Sequence, residues 1–414
     1  MRTFFEGLTG ANCTLGGQTI ISLSATEDMD ADYATASAVC LAPNGKHARG
    51  SVVQSVEGGA STGYWEVEDP VELRSGERTW RRKAGEASYR HLPLASYRLR
   101  RKNYKVTRGT LSKATVGASN FPPKFCTWER WNDLNTELNQ KVKDGELDFF
   151  AARREARSYH VVAGPTDIIA TCCRWFGMQV YYLARLEACP PEYTPVAKTL
   201  MIVVKEVAGW SGASVYLNRL GNFVVYDWRE VYNRGGSVPQ PRAVMEKEEH
   251  DGLYPFTQCT VIGKGRGRYW VPPEPGRFRP PGANPDIPQY VPPRAGYWRI
   301  LDTIYPVEVT STAALASGEK HVEQRIEIND YEIHPTLAGR LAGLQVARAM
   351  LMAATVTYKG PAEGSQAVNP VDYKVFTVQR NLEWTGTAYR YFIEITGPRW
   401  NVDNGGGTSV NGWW

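Results

Sequence analysis

The sequence predicts an elongated α+β protein, with β-rich N-terminal and central regions joined to an α-helical bundle region. Three observations predict it. Residues 1 to 125 hold short β-branched and aromatic runs separated by Gly, Pro, Asn and Asp; the apolar spacing changes to three and four after Thr127; and 39 Gly and 26 Pro accompany 13 Trp and 22 Tyr. At 414 residues the chain can bury a large core and suggests two or three domains.

In the first region, 1–125, the runs TIISLSAT, ATASAVCLA, GSVVQSV and GYWEVEDPVEL read as strands. Residues 74–108 follow with 12 Lys/Arg against Glu77 and Glu86, a net +10 in a chain of net +5. Cations there alternate with Trp80, Tyr89, Tyr97 and Tyr104, the footprint of a surface that meets a polyanion. On that reading Arg78, Arg81, Arg82, Lys83, Arg98, Arg100, Arg101, Lys102 and Lys105 neutralise phosphates, and Tyr97 and Tyr104 stack on unpaired bases. The alternative is a set of antiparallel strands whose outward face is basic.

Residues 126–233 read as the helical region. Trp128, Trp131, Leu134, Leu138 and Val142, then Leu147, Phe150 and Ala151, fall at helical spacing, with Thr127 or Asp144 as caps. Pro165 opens a second helix, apolar almost all round, through TDIIATCCRWFGMQVYYLARL. The helix-rich pattern continues through TLMIVVKEVAGW and ASVYLNRLGNFVVYDWREVYN, although MIVV alone suits helix or strand.

Residues 234–333 return to β, interrupted by GKGRGRYWVPPEPGRFRPPGANPDIPQYVPPRAGYW (263–298) with nine prolines. This reads either as an exposed arm that grips a partner through Arg266, Arg268, Tyr269, Trp270, Arg277 and Arg279, or as a surface crossover of polyproline character. GKGRG lacks the GK[ST] ending of a phosphate loop. Residues 334–414 supply a helix with Leu337, Leu341, Leu344, Val346 and Leu351 on one stripe, a terminal hairpin around TGT, and a Gly-rich tail ending in two Trp that is expected to dock.

No catalytic constellation is legible: there is no GxSxG, P-loop, HExxH or strand-to-helix GxGxxG. His250 between Glu249 and Asp251 suits an acidic turn better than a metal site, and seven cysteines without a CxxC pair argue against zinc or disulfides. Neither cofactor nor metal is expected. No run of about 18 apolar residues occurs, so membrane insertion is not expected.

LNQKVKDGELDFFAARREAR (138–157) and, about 60 residues on, YLNRLGNFVVYDWREVYN (216–233) resemble the central helical segments of maturation proteins of single-stranded RNA bacteriophages. That resemblance implies a noncatalytic virion component, made in the host cytoplasm. Its partners would be the genomic single-stranded RNA, the viral coat protein and a host pilus or other surface receptor. The alternative is a capsid or tail structural protein whose arms clasp neighbouring subunits. An enzyme acting on nucleic acid would need carboxylate or His clusters that are not legible.

Overall fold

The computed structural model describes residues 12–28, 31, 33–73, 94–187, 189–227, 246–251, 256–271, 277–279, 289–291, 297–313, 320–329, 331–362 and 376–398. Six antiparallel strands close into a barrel. They are β1 (Thr14–Leu15), β2 (Gln18–Asp28), β3 (Thr35–Leu41), β4 (Val52–Glu57), β5 (Ala60–Leu73) and β6 (Leu94–Arg101), in the order β1-β4-β5-β6-β3-β2, with β1 pairing back onto β2. The β1–β2 and β4–β5 turns are both Gly-Gly pairs with positive φ at each glycine (56° and 84°; 59° and 85°). Such two-residue turns match the right-handed strand twist and are open to few other residues. Alternate side chains fill the barrel, among them Leu15, Ile20, Leu23, Trp65, Val67, Tyr97 and Leu99.

From the barrel the chain passes through α1 (Tyr104–Thr107), α2 (Lys113–Val116) and a 3-10 turn (Ala118–Asn120) into a region where helices alternate with short strands. β7 (Lys124–Thr127) precedes α3 (Trp128–Lys143), α4 (Phe149–Arg157), β8 (Tyr159–Val162), α5 (Pro165–Trp175), β9 (Val180–Leu183), β10 (Glu192–Tyr193), α6 (Leu200–Gly209), β11 (Ser214–Leu217) and β12 (Phe223–Tyr226). Two three-stranded sheets, β10-β7-β8 and β11-β12-β9, run through it. This corrects the expected helical bundle, and with it the fold class: the protein is β-rich around a closed barrel, and its helices are short. α5 ends at Trp175 and the chain turns at Gly177 (φ 65°) into β9, where the apolar pattern predicted one continuous helix. FVVY is buried at all four positions because it is an interior strand, and so short an apolar run has no period by which to distinguish the two. Ile168, Ile169, Cys172 and Cys173 of α5 and Val203, Val204 and Val207 of α6 pack on Phe223 and Val225 of β12.

The barrel is also the start of a larger sheet. β2 pairs with β1 at Gln18 and Thr19 and, further along the same edge, with β20 (Thr377–Trp384) from Ser22 to Asp28. β21 (Tyr389–Pro398), β19 (Ala354–Ala362) and β13 (Glu246–Asp251) continue it to ten strands. β20 and β21 form an antiparallel hairpin across residues 385–388.

A third body is the sheet β17-β14-β18, from β14 (Gln258–Val271), β17 (Tyr297–Thr312) and β18 (Glu323–Glu327), covered by α7 (Pro335–Ala353). Cys259, Val261 and Val307 of the sheet meet Ala338, Leu341, Ala342 and Val346 of the helix. β14 and β17 pair from Gln258↔Thr312 to Val271↔Tyr297, whereas β18 accompanies β14 only from Gln258 to Ile262. The remainder is a two-stranded ribbon that leaves the body, with β15 (Arg277–Arg279) and β16 (Gln289–Val291) paired beyond it.

Candidate assembly interface

The described part of the basic stretch, residues 94–108, does not form one cationic surface. Arg78, Arg81, Arg82 and Lys83 lie outside the described residues. On β6 the period of two sends Tyr97 and Arg101 into the barrel and leaves Arg98 exposed. The Tyr97 hydroxyl donates to Gln18 Oε1 at 2.7 Å and accepts from the His47 backbone N–H at 3.0 Å. Tyr104 is buried, and Arg100 lies between the rings of Tyr104 and Tyr33 with its centroid distances at 5.0 and 5.3 Å while ion-paired to Glu68 at 2.6 Å. Lys105 pairs with Glu66, and Lys102 lies 5.4 Å from the Tyr64 ring centroid. Tyr97, Tyr104 and Arg101 therefore present nothing to a nucleic acid: their groups are enclosed and bonded within the fold.

Arg101 belongs to a buried quartet that closes the upper end of the barrel. Its Nη2 is 2.6 Å from Glu27 Oε1, and Arg380, reaching in from β20, is 3.0 Å from Glu57 and 3.7 Å from Glu27. All four side chains are at most 8% exposed. Trp65 lies flat against Arg101 at 4.2 Å, and its indole N–H donates to Ser55 Oγ at 2.9 Å; Thr62 donates to Glu57 at 2.7 Å. Burial pushes the Arg101 guanidinium below its ordinary pKa, with Glu27 pulling it back up. Two cations and two anions cancel, so the set is a neutral clamp between the N-terminal barrel and the C-terminal β20.

The β11–β12 turn sits on this end. Tyr64 N–H donates to Arg219 O at 2.9 Å and Asn103 Nδ2 to Gly221 O at 2.9 Å. Gly221 (φ 79°) approaches Lys102 so closely that a Cβ would stand 2.5 Å from the Lys102 carbonyl oxygen. A water-sized hollow lined by Glu27, Asp28, Tyr33, Tyr216 and Leu217 lies beside the quartet. Among the described residues no three His, Cys, Asp or Glu gather as a metal site.

Among the described residues the surface offers exposed side chains for contact. GKGRG is strand: Gly263, Gly265 and Gly267 alternate along β14 and leave room for Ile333, Tyr305 and Leu301, with a Cβ at Gly265 falling 2.5 Å from the Tyr305 ring. Lys264 is exposed beside them, Arg266 is ion-paired to Glu332 at 2.7 Å, and Ile304, opposite Arg266, is 55% exposed. Arg268, Tyr269 and Trp270 lie on the outer half of β14, and Arg277 and Arg279 on β15. Of the segment 263–298, residues 263–271 precede the first proline and pair with β17; the nine prolines, and with them the choice between arm and crossover, lie outside the described residues. Phe149 and Phe150, 55% and 68% exposed at the α3–α4 tip, and Trp128, 51% exposed and stacked on Trp131 at 5.2 Å, are among the other exposed apolar side chains. Sequence reasoning placed Phe150 on a helix stripe; adjacent Phe149 and Phe150, directly after the cap Asp148, cannot both face one core, and that was the available signal.

No protein-family model and no curated protein matches the sequence. Solved structures do. A 43 kDa tail protein of prophage MuSo2 from Shewanella oneidensis is similar at 10% identity over 92% of this chain and 96% of that one, with a TM-score of 0.50. A tail protein from Neisseria meningitidis MC58 is similar at 10% identity over 95% and 98%, with a TM-score of 0.48. The first likeness is one of fold and runs nearly end to end. It overturns the maturation-protein resemblance, as does the local structure: 138–157 is broken at Gly145 (φ 74°) into two antiparallel helices, and 216–226 is a β-hairpin.

Proposed function

We propose that this chain is a noncatalytic structural subunit of a phage tail or tail-like particle, located in the virion and joined to neighbouring subunits through its arm. The observation that supports this reading is the end-to-end fold likeness to the MuSo2 tail protein. A ribbon leaving the body and exposed aromatics suit subunit contact, since large apolar side chains left in water commonly mark surfaces covered on assembly. RNA binding forms no part of the proposal, because among the described residues Tyr97, Tyr104 and Arg101 are enclosed and Arg100 and Lys105 are ion-paired. Immunogold labelling of particles released by the source organism tests the reading. Label on a tail is expected; label confined to a head shell, or protein found only free of particles, refutes it.

A further inference from the structure

We infer that the solvent-facing side of α4 docks an acidic, apolar segment of a partner protein, a contact that rests on and deepens the structural-subunit reading. α4 closes against α3 through its small residues and turns its large ones outward. Ala152 is buried on Leu134 and Leu138, with Ala156 beside them, whereas Phe149 and Phe150 are 55% and 68% exposed. A helix that only completed the hairpin would place phenylalanine inside and alanine outside. The two rings meet edge to face with centroids 5.7 Å apart, so the apolar end of the surface is a fixed pair.

Beyond the rings the same helix carries Arg153, Arg154 and Arg157, all exposed. With 3.6 residues per turn, these three and the two phenylalanines fall within an arc of about 140°. Arg153 lies about 6 Å and Arg157 about 12 Å along the axis from Phe149. Among the described residues none of the three arginines has an ion-pair or hydrogen-bond partner for its side chain. Elsewhere arginines are answered: Arg130 of the same hairpin meets Glu137 and Glu192, and Arg100, Arg101, Arg266 and Arg380 each meet a carboxylate. Arg154 and Arg157 suit the helix C-terminus, but that accounts for neither Arg153 nor the exposed rings. A guanidinium left free in this way fits a carboxylate through two parallel N–H donors.

Charge distribution selects the occupant. Asp144, Glu146 and Asp148 are exposed at the phenylalanine end, so with Glu155 the stretch 144–157 sets four acids against three arginines, a net −1. A uniformly anionic surface, nucleic acid or phospholipid headgroups, gains little from such a stretch. A protein segment with discrete carboxylates can meet the arginines and keep clear of the acidic tip. No segment of this chain outside the described residues is acidic enough, since none exceeds one net negative charge. Size argues against a second copy: a helix of nine residues offers a face about 13 Å long and about 10 Å wide, well short of the ~800 Å² each partner gives to a stable interface. The partner that fits presents one or two large apolar side chains with carboxylates about 6–12 Å further along, as an acidic amphipathic helix does, and binds here as one contact of a larger assembly.

The test selects random peptides, about twelve residues long so as to span α4, on the immobilised full chain. Fluorescence anisotropy then follows the most enriched peptide on wild type, Phe149→Ser/Phe150→Ser and Arg153→Gln/Arg154→Gln/Arg157→Gln. Peptides that hold to the wild type and are lost on both variants are expected to be net acidic and to carry large apolar residues. Each variant should weaken the peptide by at least about tenfold, and wild-type binding should fall as salt rises. All five side chains are exposed, and matching thermal midpoints keep a misfolded variant from counting. Phe150→Ser and Arg153→Gln alone, each expected to weaken binding about threefold, stand in for a multiple variant that does not fold. Neutral or basic peptides, acidic ones that both variants bind unchanged, or no enrichment at all overturn the inference. So do oligouridylate or phosphatidylglycerol vesicles held by the wild type and released by the arginine variant, which make the occupant a nucleic acid or a membrane. Self-association in sedimentation velocity that either variant abolishes makes it a second copy and overturns the inference equally. A chain that labels tails yet selects no acidic, apolar peptide overturns this inference alone; one that selects them but is absent from tails overturns the subunit reading alone.

Discussion

Replacing Arg380 with Ala should be among the most damaging single changes available to this fold. The guanidinium lies 3.0 Å from Glu57 and 3.7 Å from Glu27, inside a barrel end where all four charged side chains are at most 8% exposed. With an effective dielectric near 20, unit charges at those distances attract by roughly 5.5 and 4.5 kcal/mol. The cost of dehydrating the guanidinium, several kcal/mol, offsets much of that sum. What the substitution exposes is the other side of the balance: two buried carboxylates left with Arg101 alone. Breaking a buried ion pair from one side costs about 3–5 kcal/mol, and that is the expected loss in urea unfolding. The double change Arg380→Met/Glu57→Gln removes one cation and one anion and keeps the interior neutral, so it should cost less than Arg380→Ala. Hydrogen exchange on β2 and β20 gives a local readout, because Arg380 joins strands more than 300 residues apart in sequence. A loss below about 1 kcal/mol, or a double variant as unstable as the sum of its parts, would refute the view that the quartet acts as a unit.

Gly63→Ala should destabilise by about 2 kcal/mol or more, since its Cβ would stand 2.4 Å from Arg101 Nη1 at a φ of 154°; a thermal midpoint equal to wild type contradicts this. Stability should decline as pH falls from about 7 to 5. His160, packed at 5.5 Å from both Phe125 and Trp175, has its pKa lowered by burial, so the unfolded chain takes up the proton first and the native state loses ground below the unfolded value; His160→Gln should flatten that decline. Iodoacetamide at neutral pH should label Cys189 before the other six thiols, which are buried, with burial pushing Cys40 and Cys173 up to about 12 and Cys126 up to about 11; mass spectrometry showing early labelling of Cys172 or Cys173 would count against the packing of α5. Phe149→Ser/Phe150→Ser should leave stability within about 0.5 kcal/mol, as exposed side chains do, while reducing incorporation into particles.

Legibility followed the strength of local periodicity. The barrel strands were readable because TIISLSAT and ATASAVCLA alternate and Gly-Gly pairs punctuate them, and α3 because Leu134 and Leu138 repeat at four and Thr127 caps the first turn by accepting from Arg130 N–H. The helix 335–353 and the hairpin of β20 and β21 were equally plain. Between residues 176 and 226 the pattern failed for a physical reason. VYYL, SVYL and FVVY are four-residue strands sandwiched under helices, apolar on both faces or nearly so, and so short an apolar run is compatible with either period. What distinguishes them is the positive φ at Gly177, Gly212 and Gly221, which ends each preceding element; a glycine between apolar runs is the stop signal that the helix reading overrode.

The basic stretch shows why composition misleads where faces alternate. Arg98, Arg100 and Arg101 are near neighbours in sequence, yet period two puts Arg98 in solvent and Arg101 at 0% side-chain exposure, and the bulge in β5 between Val67 and Asp69 sets which carboxylate meets which cation. Net charge counts all three alike. The carboxylates that answer this stretch, Glu27 for Arg101, Glu68 for Arg100 and Glu66 for Lys105, come from other strands, so the neutralisation is a property of pairing register and has no local trace. The arm is the converse case in its backbone: beyond Ile262, β14 has β17 alone as strand neighbour among the described residues, so no third strand stands beside its basic sequence. Charge alone therefore could not separate a barrel wall from a docking arm; the separation rests on whether a second strand stands close enough to answer it.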